Sequence, residues 1–256
     1  MDYSAHGEQI PNDEEFKKLM ADYKRNMGLD FKLRNLSLKL QEHADMYRYT
    51  YQQAWCGVPI VRLPDDILVL QEIVWSIKPS FIIETGIARG GSLILSASLM
   101  ALAKLKPRVL GLDIKILNHT KTAILNSPFS EFIKIKECSS VSEEAIQEVE
   151  DFISLKSSND FGVLILDSNH THDHVYAELN SLASLLPVGS IILVADTLIE
   201  EMPSDYYAGR PWGKGNNPLT AVNQFLNENS NFTRSDNWSK RGLLSEFRDG
   251  ILLKRS

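Results

Sequence analysis

The feature that most constrains the fold is an alternation of short apolar runs and helix-length stretches, which begins near residue 81. The apolar runs are rich in Ile, Leu and Val, and they lie at residues 81–84, 109–113, 132–136, 163–167, 191–196 and 250–254. Helical spacing of apolar residues separates most of them, at 92–104, 142–153 and 174–186. Strands that are apolar throughout and alternate with helices predict an α/β fold, with a parallel sheet covered by helices on both faces.

The region before residue 61 differs from this pattern. Residues 12–27 carry apolar side chains at helical spacing, and no strand signal precedes residue 53. A chain of 256 residues is long enough for one sizeable α/β domain and short for two. We therefore expect residues 1–60 to form an N-terminal helical extension of a main domain that spans residues 61–256.

Composition excludes several classes of function. The formal net charge is −6 and no Lys/Arg block is present, so a nucleic-acid partner is not expected. Cys56 and Cys138 lie far apart and suit reduced thiols in a cytoplasmic protein. Residues 1–11 lack the order of a signal peptide, and no apolar run approaches the ~18 residues of a membrane span. The sequence leaves a monomer and a homo-oligomer both open.

A glycine-rich turn follows the first apolar run. Glu84 ends that run, and Gly86 and Gly90 precede a helix whose first N–H groups are free to bind a ligand. No phosphate-binding lysine follows Gly90, and Ala88 stands where a dinucleotide site has its second glycine. The spacing instead suits an adenosyl amino acid, with Asp113 after the next run placed to bind ribose hydroxyls. The alternative is a plain turn that binds no ligand.

Polar residues also follow two later apolar runs. Asp167 and Asp196 end runs that are neighbours along the chain, and we expect both carboxylates at the carboxyl edge of the sheet. Together with water they would suit Mg²⁺ or another hard divalent cation, although both could be plain strand-end residues. His170 follows Asp167 closely and is the leading candidate for a general base. His174, one helical turn farther on, is expected on the same face in a supporting role.

Two loops mix aromatic, glycine and hydrogen-bonding residues. One contains Trp55, and the other contains Arg210, Trp212, Asn216 and Asn217. Such loops are often surface linkers, but this composition also suits a lid over a polar substrate. We therefore assign these residues to substrate binding.

At this point the motifs resemble a known family. The segment around Trp55, residues 83–92, the run from Asp167 to Val175, and residues 210–218 are together similar to the cephalosporin hydroxylase / rhamnosyl O-methyltransferase family, over roughly residues 50–256. The resemblance implies a Rossmann-like, doubly wound, mostly parallel seven-stranded methyltransferase sheet. It also implies S-adenosylmethionine and Mg²⁺ as cofactors, and a sugar hydroxyl as the acceptor.

Carried over by position, the resemblance implies a set of site residues. Those around the cofactor are Glu84, Gly86, Arg89, Gly90, Ser92, Asp113, Ser139, Ser140 and Asp167. Asp167 and Asp196 are implied as metal ligands. Two positions depart from the family pattern: Ala195 replaces a common Glu, and Cys138 replaces the usual glycine before the two serines.

The resulting hypothesis is an S-adenosylmethionine-dependent, metal-assisted O-methyltransferase. Its acceptor would be a nucleotide-linked sugar, a glycolipid or a surface-polysaccharide precursor. The alternatives are a catechol-type small-molecule methyltransferase, a metal-dependent hydroxylase that works with an electron-transfer partner, and a non-catalytic adenosyl-binding protein. For the hydroxylase, the sequence offers no clear iron triad of two histidines and one carboxylate.

Overall fold

The computed structural model describes residues 12–154, 160–235, 237–239 and 242–256. The polar segment 1–11 lies outside the described residues. Within them, the α-helices are α1 (Asp13–Leu29), α2 (Phe31–Asp45), α3 (Pro64–Ile77), α4 (Gly91–Leu102), α5 (Asn118–Leu125), α6 (Glu143–Ile153), α7 (His172–Glu178) and α8 (Pro218–Glu228). The strands are β1 (Ala54–Trp55), β2 (Val58–Pro59), β3 (Phe81–Thr85), β4 (Val109–Asp113), β5 (Ile133–Glu137), β6 (Gly162–Leu166), β7 (Ile191–Val194), β8 (Phe232–Arg234) and β9 (Ile251–Lys254).

The central sheet has seven strands in the order β5-β4-β3-β6-β7-β9-β8. Strands β5, β4, β3, β6 and β7 are parallel, and β9 runs antiparallel to both of its neighbours, β7 and β8. This confirms the expected mostly parallel, seven-stranded α/β fold. Strands β1 and β2 form a separate hairpin before α3.

Apolar side chains fill both faces of the sheet. Neighbouring residues on β3 point to opposite sides, so Ile82 lies in one buried cluster and Ile83 in the other. Strands β3 and β6 are buried along their whole length, which explains their uninterrupted apolar sequences. Edge strand β5 is more polar, and its Lys134 and Lys136 form ion pairs with Glu148 and Glu144 on α6.

The N-terminal helices contact the main domain through charged groups. Arg34 on α2 donates from Nη2 to Glu201 Oε1 and to Asp249 Oδ2, each at 2.7 Å. These partners lie after β7 and before β9, so α2 sits over the carboxyl edge of the sheet. The division near residue 60 stays a prediction, because α2 and the following turn also line the central cavity. In the described part of the chain, no helix is both long and apolar enough to span a bilayer.

Candidate active site

A cavity of about 580 Å³ opens where the parallel strands β3, β4, β6 and β7 end. Its lining comes from the turn after β3, the residues that follow β4, β6 and β7, the end of α2, and the loop at 207–212. Ligands of doubly wound folds bind at this edge of the sheet, where the strand order reverses. The cavity is therefore the candidate active site.

The glycine-rich turn after β3 packs closely against β6. Gly86 has φ +80°, and a Cβ there would lie 2.0 Å from the backbone oxygen of Asp167. Gly90, with φ +85°, caps α4, and a side chain there would meet Ile124 on α5 at 3.0 Å. Both residues line the cavity through their backbones. The close approach that requires glycine at these positions is thus to the chain itself, and the binding of the cofactor by Gly86 and Gly90 stays a prediction.

Asp113 lies at the end of β4, beside the glycine-rich turn. Its Oδ2 accepts a hydrogen bond from the Ile87 N–H and its Oδ1 accepts one from the Lys115 N–H, both at 2.9 Å. The carboxylate therefore shapes the turn and also faces the cavity. Arg89 lines the cavity as well, and its Nη1 lies 3.0 Å from Nε2 of His119.

A smaller cavity of about 180 Å³ shares Gly86, Asp113 and Ser168 with the larger one. Ser139 and Ser140, expected near the cofactor, both line it. The two serines therefore line the same small cavity as Gly86 of the glycine-rich turn and Asp113.

Asp167, His170 and Asp196 meet in the main cavity. Their potential ligand atoms all lie within 4.8 Å of one another, and His170 Nε2 is 3.1 Å from Asp196 Oδ2. Burial raises the pKa of Asp167 well above its usual range, the positive charge of Arg62 opposes this, and the negative charge of Asp196 adds to it. Two carboxylates and an imidazole in this arrangement form a donor set that fits a divalent cation.

Arg62 is a site residue that the sequence pattern did not indicate. It is 1% exposed, and its Nη2 lies 3.0 Å from Glu84 Oε1 and 3.4 Å from Asp167 Oδ2. Its guanidinium also lies over the ring of Phe247. Glu84, expected to bind the cofactor, thus has one oxygen paired with Arg62. The other, Oε2, is buried with no hydrogen-bond partner among the described residues.

Burial raises the pKa of Glu84, and the nearby Arg62 charge and the Ser92 side chain act in the opposite direction. Ser92, predicted to bind the cofactor, therefore lies close to Glu84. Both residues also line the cavity. A single Arg in an irregular segment belongs to no motif, so only the tertiary structure reveals the ion pair between Arg62 and Glu84.

Glu246, just before β9, is a second residue that the sequence did not indicate. It lines the cavity, is 6% exposed, and within the described residues its carboxylate accepts no hydrogen bond. Burial, followed by the charges of Asp196 and Asp66, raises its pKa well above the usual range. Asp66 itself is buried, accepts hydrogen bonds from the Ser245 hydroxyl and the Glu246 N–H, and has a pKa raised to about 7, chiefly by burial. The residues around Arg62 therefore include more carboxyl groups than its one guanidinium can pair with.

The two histidines expected on one helix face lie on different sides of the site. Helix α7 begins only at His172, so His170 belongs to the preceding loop, where its ring packs edge-on against Trp212 at 4.8 Å. His174 instead faces the smaller cavity, with Nε2 3.0 Å from Ser140 Oγ and 3.1 Å from Ser168 Oγ. His170 and His174 therefore do not share a helix face, and the supporting role of His174 stays a prediction.

Arg210 and Trp212 line the main cavity as expected for substrate-binding residues. Trp55 does not contact it: the indole N–H donates to Ser98 Oγ on α4 at 2.8 Å, and the ring packs on the core. An aromatic residue in a glycine-containing loop resembled a lid residue, but here it fixes the β1–β2 hairpin to α4.

Asn216 and Asn217 also have structural roles and do not line the main cavity, so their contact with substrate stays a prediction. Asn217 is 0% exposed and caps α8 by accepting from the N–H groups of Leu219 and Thr220 at 3.0 and 3.2 Å. Asn216 Oδ1 accepts from the His172 N–H at 2.9 Å, which joins the loop to the start of α7. An Asn directly before Pro218 is typical of a helix N-cap, and this signal was available in the sequence.

Comparisons with known proteins agree with this fold. A family model described as Rhamnosyl O-methyltransferase/CmcI matches residues 47–255. The chain is 28% identical over 149 residues to the rhamnosyl O-methyltransferase of Mycobacterium leprae (strain TN), covering 58% of this chain and 62% of that protein. It is also 28% identical over 152 residues to the enzyme of the same name from Mycobacterium tuberculosis (strain ATCC 25618 / H37Rv), covering 58% of each. The matches thus span about three-fifths of the length of these relatives.

Solved structures share the fold. An apo structure of CmcI-N160 has a TM-score of 0.59 at 17% identity, covering 80% of this chain and 77% of that one. A structure of CmcI-D160 with Mg and SAM has a TM-score of 0.56, also at 17% identity, and covers 80% of this chain and 78% of that one. Because the family model matches most of the sequence, the chain belongs to the Rhamnosyl O-methyltransferase/CmcI family.

Proposed function

We propose that the protein is an S-adenosylmethionine-dependent, divalent-metal-assisted O-methyltransferase that acts on a hydroxyl of a sugar. The observation that carries the proposal is the Asp167–His170–Asp196 group, which shares one cavity with the glycine-rich turn after β3. The names of the relatives and of the solved CmcI structures support the same activity, cofactors and class of acceptor. The acceptor would be a nucleotide-linked sugar, a glycolipid or a surface-polysaccharide precursor.

The cofactor would lie along the turn after β3 and the end of β4. S-adenosylmethionine supplies a methyl group that its sulfonium activates for displacement. The free N–H groups at the start of α4 suit its carboxylate, and the unpaired Oε2 of Glu84 suits its ammonium group. Asp113 would accept hydrogen bonds from the ribose hydroxyls, and Ser139 and Ser140 would border the adenine.

The divalent cation would be held by Asp167 and Asp196. When bound, Mg²⁺ or Mn²⁺ would supply positive charge that orients the acceptor hydroxyl and lowers its pKa. The residues present fit a cation, because the mutual repulsion of buried carboxylates is relieved by positive charge. Ala195 contributes no ligand where the resemblance implies a common Glu, so water would complete the coordination of the cation.

Proton removal is assigned to His170. Its Nε2 lies 3.1 Å from Asp196 Oδ2, and Trp212 packs against the ring, so the imidazole is held beside the expected acceptor oxygen. Methyl transfer breaks the S–C bond as the O–C bond forms, and the hydroxyl proton passes to the imidazole. Positioning of the two reactants is expected to provide most of the acceleration. The alternative role for His170 is that of a third metal ligand.

The test combines binding and turnover. Calorimetry with S-adenosylhomocysteine measures cofactor binding, and transfer of a labelled methyl group to a panel of methyl glycosides, nucleotide sugars and aromatic diols measures activity with and without EDTA. We expect metal-dependent methylation of a sugar. Methylation of aromatic diols alone would indicate a catechol-type enzyme, and cofactor binding without any turnover would indicate a binding protein.

The role of His170 is tested with two alanine variants. His170→Ala should lower kcat by about 10²–10⁴-fold and leave Mn²⁺ affinity nearly unchanged if the imidazole is the base. A large loss of Mn²⁺ affinity in His170→Ala would instead indicate that His170 is a metal ligand. His172→Ala is the matched control, because its ring hydrogen-bonds to Thr220 and Gln224 on α8 and lies outside the catalytic group.

A further inference from the structure

One wall of the main cavity is built from the N-terminal helices and not from the sheet. Gln41 and Asp45, near the end of α2, line the cavity together with Tyr207 from the loop after β7. Both α2 residues precede residue 47, where the match to the family model begins. This part of the cavity therefore lies outside the stretch that the family model matches.

Gln41 is a largely buried residue that lines the cavity. It is 6% exposed, and no described residue hydrogen-bonds to its side-chain amide. The amide atoms are not among the side-chain atoms that are both buried and unpaired, so the amide is open to the cavity. An amide that lines a cavity in this state is suited to a polar ligand, because it can both donate and accept a hydrogen bond.

Asp45 is half-buried and held in one orientation. The Tyr206 hydroxyl donates a hydrogen bond to Asp45 Oδ2, and Oδ1 has no partner among the described residues. The ring of Tyr206 packs edge-on against Tyr207 at 4.9 Å, so the helix and the loop form one connected wall. A carboxylate fixed in this way offers a free oxygen to a hydroxyl donor in the cavity.

This wall lies within electrostatic reach of the catalytic group. Burial is the main cause of the raised pKa of both Asp45 and Tyr207, and the negative charge of Asp196 adds to it in each case. Asp167, His170 and Asp196 line the same cavity as Gln41 and Asp45, so a molecule that fills this cavity can contact both the catalytic group and the wall.

The chemistry of the wall favours one class of acceptor. A sugar carries several hydroxyls beyond the one that is methylated, and each needs a donor or an acceptor when it is buried. An aromatic diol has only the two hydroxyls that would face the metal, and the rest of its ring is apolar. We propose that Gln41 and Asp45 form an acceptor-recognition site that binds the sugar hydroxyls next to the methylated position. This inference rests on the proposed function.

The experiment uses the full chain loaded with Mg²⁺ and S-adenosylmethionine, with methyl α-L-rhamnoside and its monodeoxy derivatives as acceptors. Gln41→Ala should lower kcat/KM by about 2–12-fold, as expected for one neutral hydrogen bond, and Asp45→Asn by about 10–100-fold, as expected for a charged one. Most of the loss should appear in KM, and the Kd of S-adenosylhomocysteine should not change. Lys39→Ala, an exposed change on the same helix, is the control.

The deoxy series separates direct contact from general damage to the fold. One deoxy sugar should be a poor acceptor for the wild-type protein. The Asp45→Asn change should lower kcat/KM for that sugar little further, because the hydrogen bond between Asp45 and the missing hydroxyl is already absent. Additive losses for every deoxy sugar, or an unchanged KM in both variants, would overturn the inference while the methyltransferase proposal stands. If the wild-type protein binds S-adenosylhomocysteine but methylates no sugar in the panel, both are wrong.

Discussion

Replacing Gly86 by alanine should destabilise the protein and displace Asp167 at the same time. The added Cβ would lie 2.0 Å from the backbone oxygen of Asp167, 2.6 Å from its carbonyl carbon and 2.8 Å from the Cα of Ser168. All three contacts are with backbone atoms, which cannot rotate away as a flexible side chain can. Strands β3 and β6 must therefore separate at the edge that carries the catalytic group.

The size of the effect follows from two costs. A left-handed conformation costs an L-residue about 1–2 kcal/mol, and forcing extra atoms into a packed region adds about 1–3 kcal/mol. The expected loss is thus about 2–5 kcal/mol, which lowers Tm by about 4–20 °C in a domain of this size. Because the backbone of Asp167 moves, Mn²⁺ affinity measured by calorimetry should fall as well.

Gly57 provides a matched control for the steric part of this argument. It has φ +81° in the β1–β2 hairpin, and a Cβ there would meet no atom within 4 Å. Gly57→Ala should therefore show only the conformational cost of about 1–2 kcal/mol and should leave Mn²⁺ affinity unchanged. Equal losses of Tm in Gly57→Ala and Gly86→Ala would refute the claim that close packing on β6 requires glycine at position 86.

Three further changes test the site and its supports. Asp196→Asn should weaken Mn²⁺ binding at least about tenfold in calorimetry, with the Kd of S-adenosylhomocysteine within about twofold of wild type. The pKa of Asp66, about 7 in the folded protein against 3.8 unfolded, means that the folded state binds the proton more tightly. Stability should therefore fall as pH rises from about 4 to about 7, and Asp66→Asn should flatten this part of the Tm curve. Asn217→Ala should cost about 1–2 kcal/mol in urea unfolding, because α8 loses its cap.

The fold was largely predictable because most strands of the sheet are buried on both faces. Their apolar runs are visible without any knowledge of partners, and six of the seven strands were located from them. Strand β8 (Phe232–Arg234) was missed because it has three residues, lies at an edge and pairs only with β9. Helix α5 (Asn118–Leu125) was missed because only Thr120 and Ile124 are buried, which leaves almost no apolar periodicity.

The candidate site was predictable where it depends on strand ends. Asp167 and Asp196 follow neighbouring parallel strands, so the topology alone brings them together. Arg62, Glu246 and Gln41 come from an irregular segment, a loop and a helix, and their proximity depends on tertiary packing that no local pattern shows.

Loop composition was a weaker guide to the site. Trp55 and Asn217 are of residue types that often bind substrates, but their polar side-chain atoms already form hydrogen bonds within the chain. Composition indicates that a side chain can bind a ligand, whereas only the structure shows whether its hydrogen-bonding atoms remain free. Gln41 is the reverse case: it lies on a helix that carried no functional signal, and its amide is free.

Charge balance links these observations. Arg62 is a buried cation that lines the cavity. Burial lowers its pKa, and the negative charges of Glu84, Asp167, Glu246 and Asp66 raise it above its ordinary value. One guanidinium cannot neutralise this many carboxylates, and the pKa values of the carboxylates are raised as a result of burial and of their mutual repulsion. Burying like charges is costly unless positive charge arrives from outside the chain. Under the proposed function, the metal ion and the sulfonium cofactor both bring that charge, so the acidic cavity is unfavourable in isolation and favourable for the two ligands it would hold.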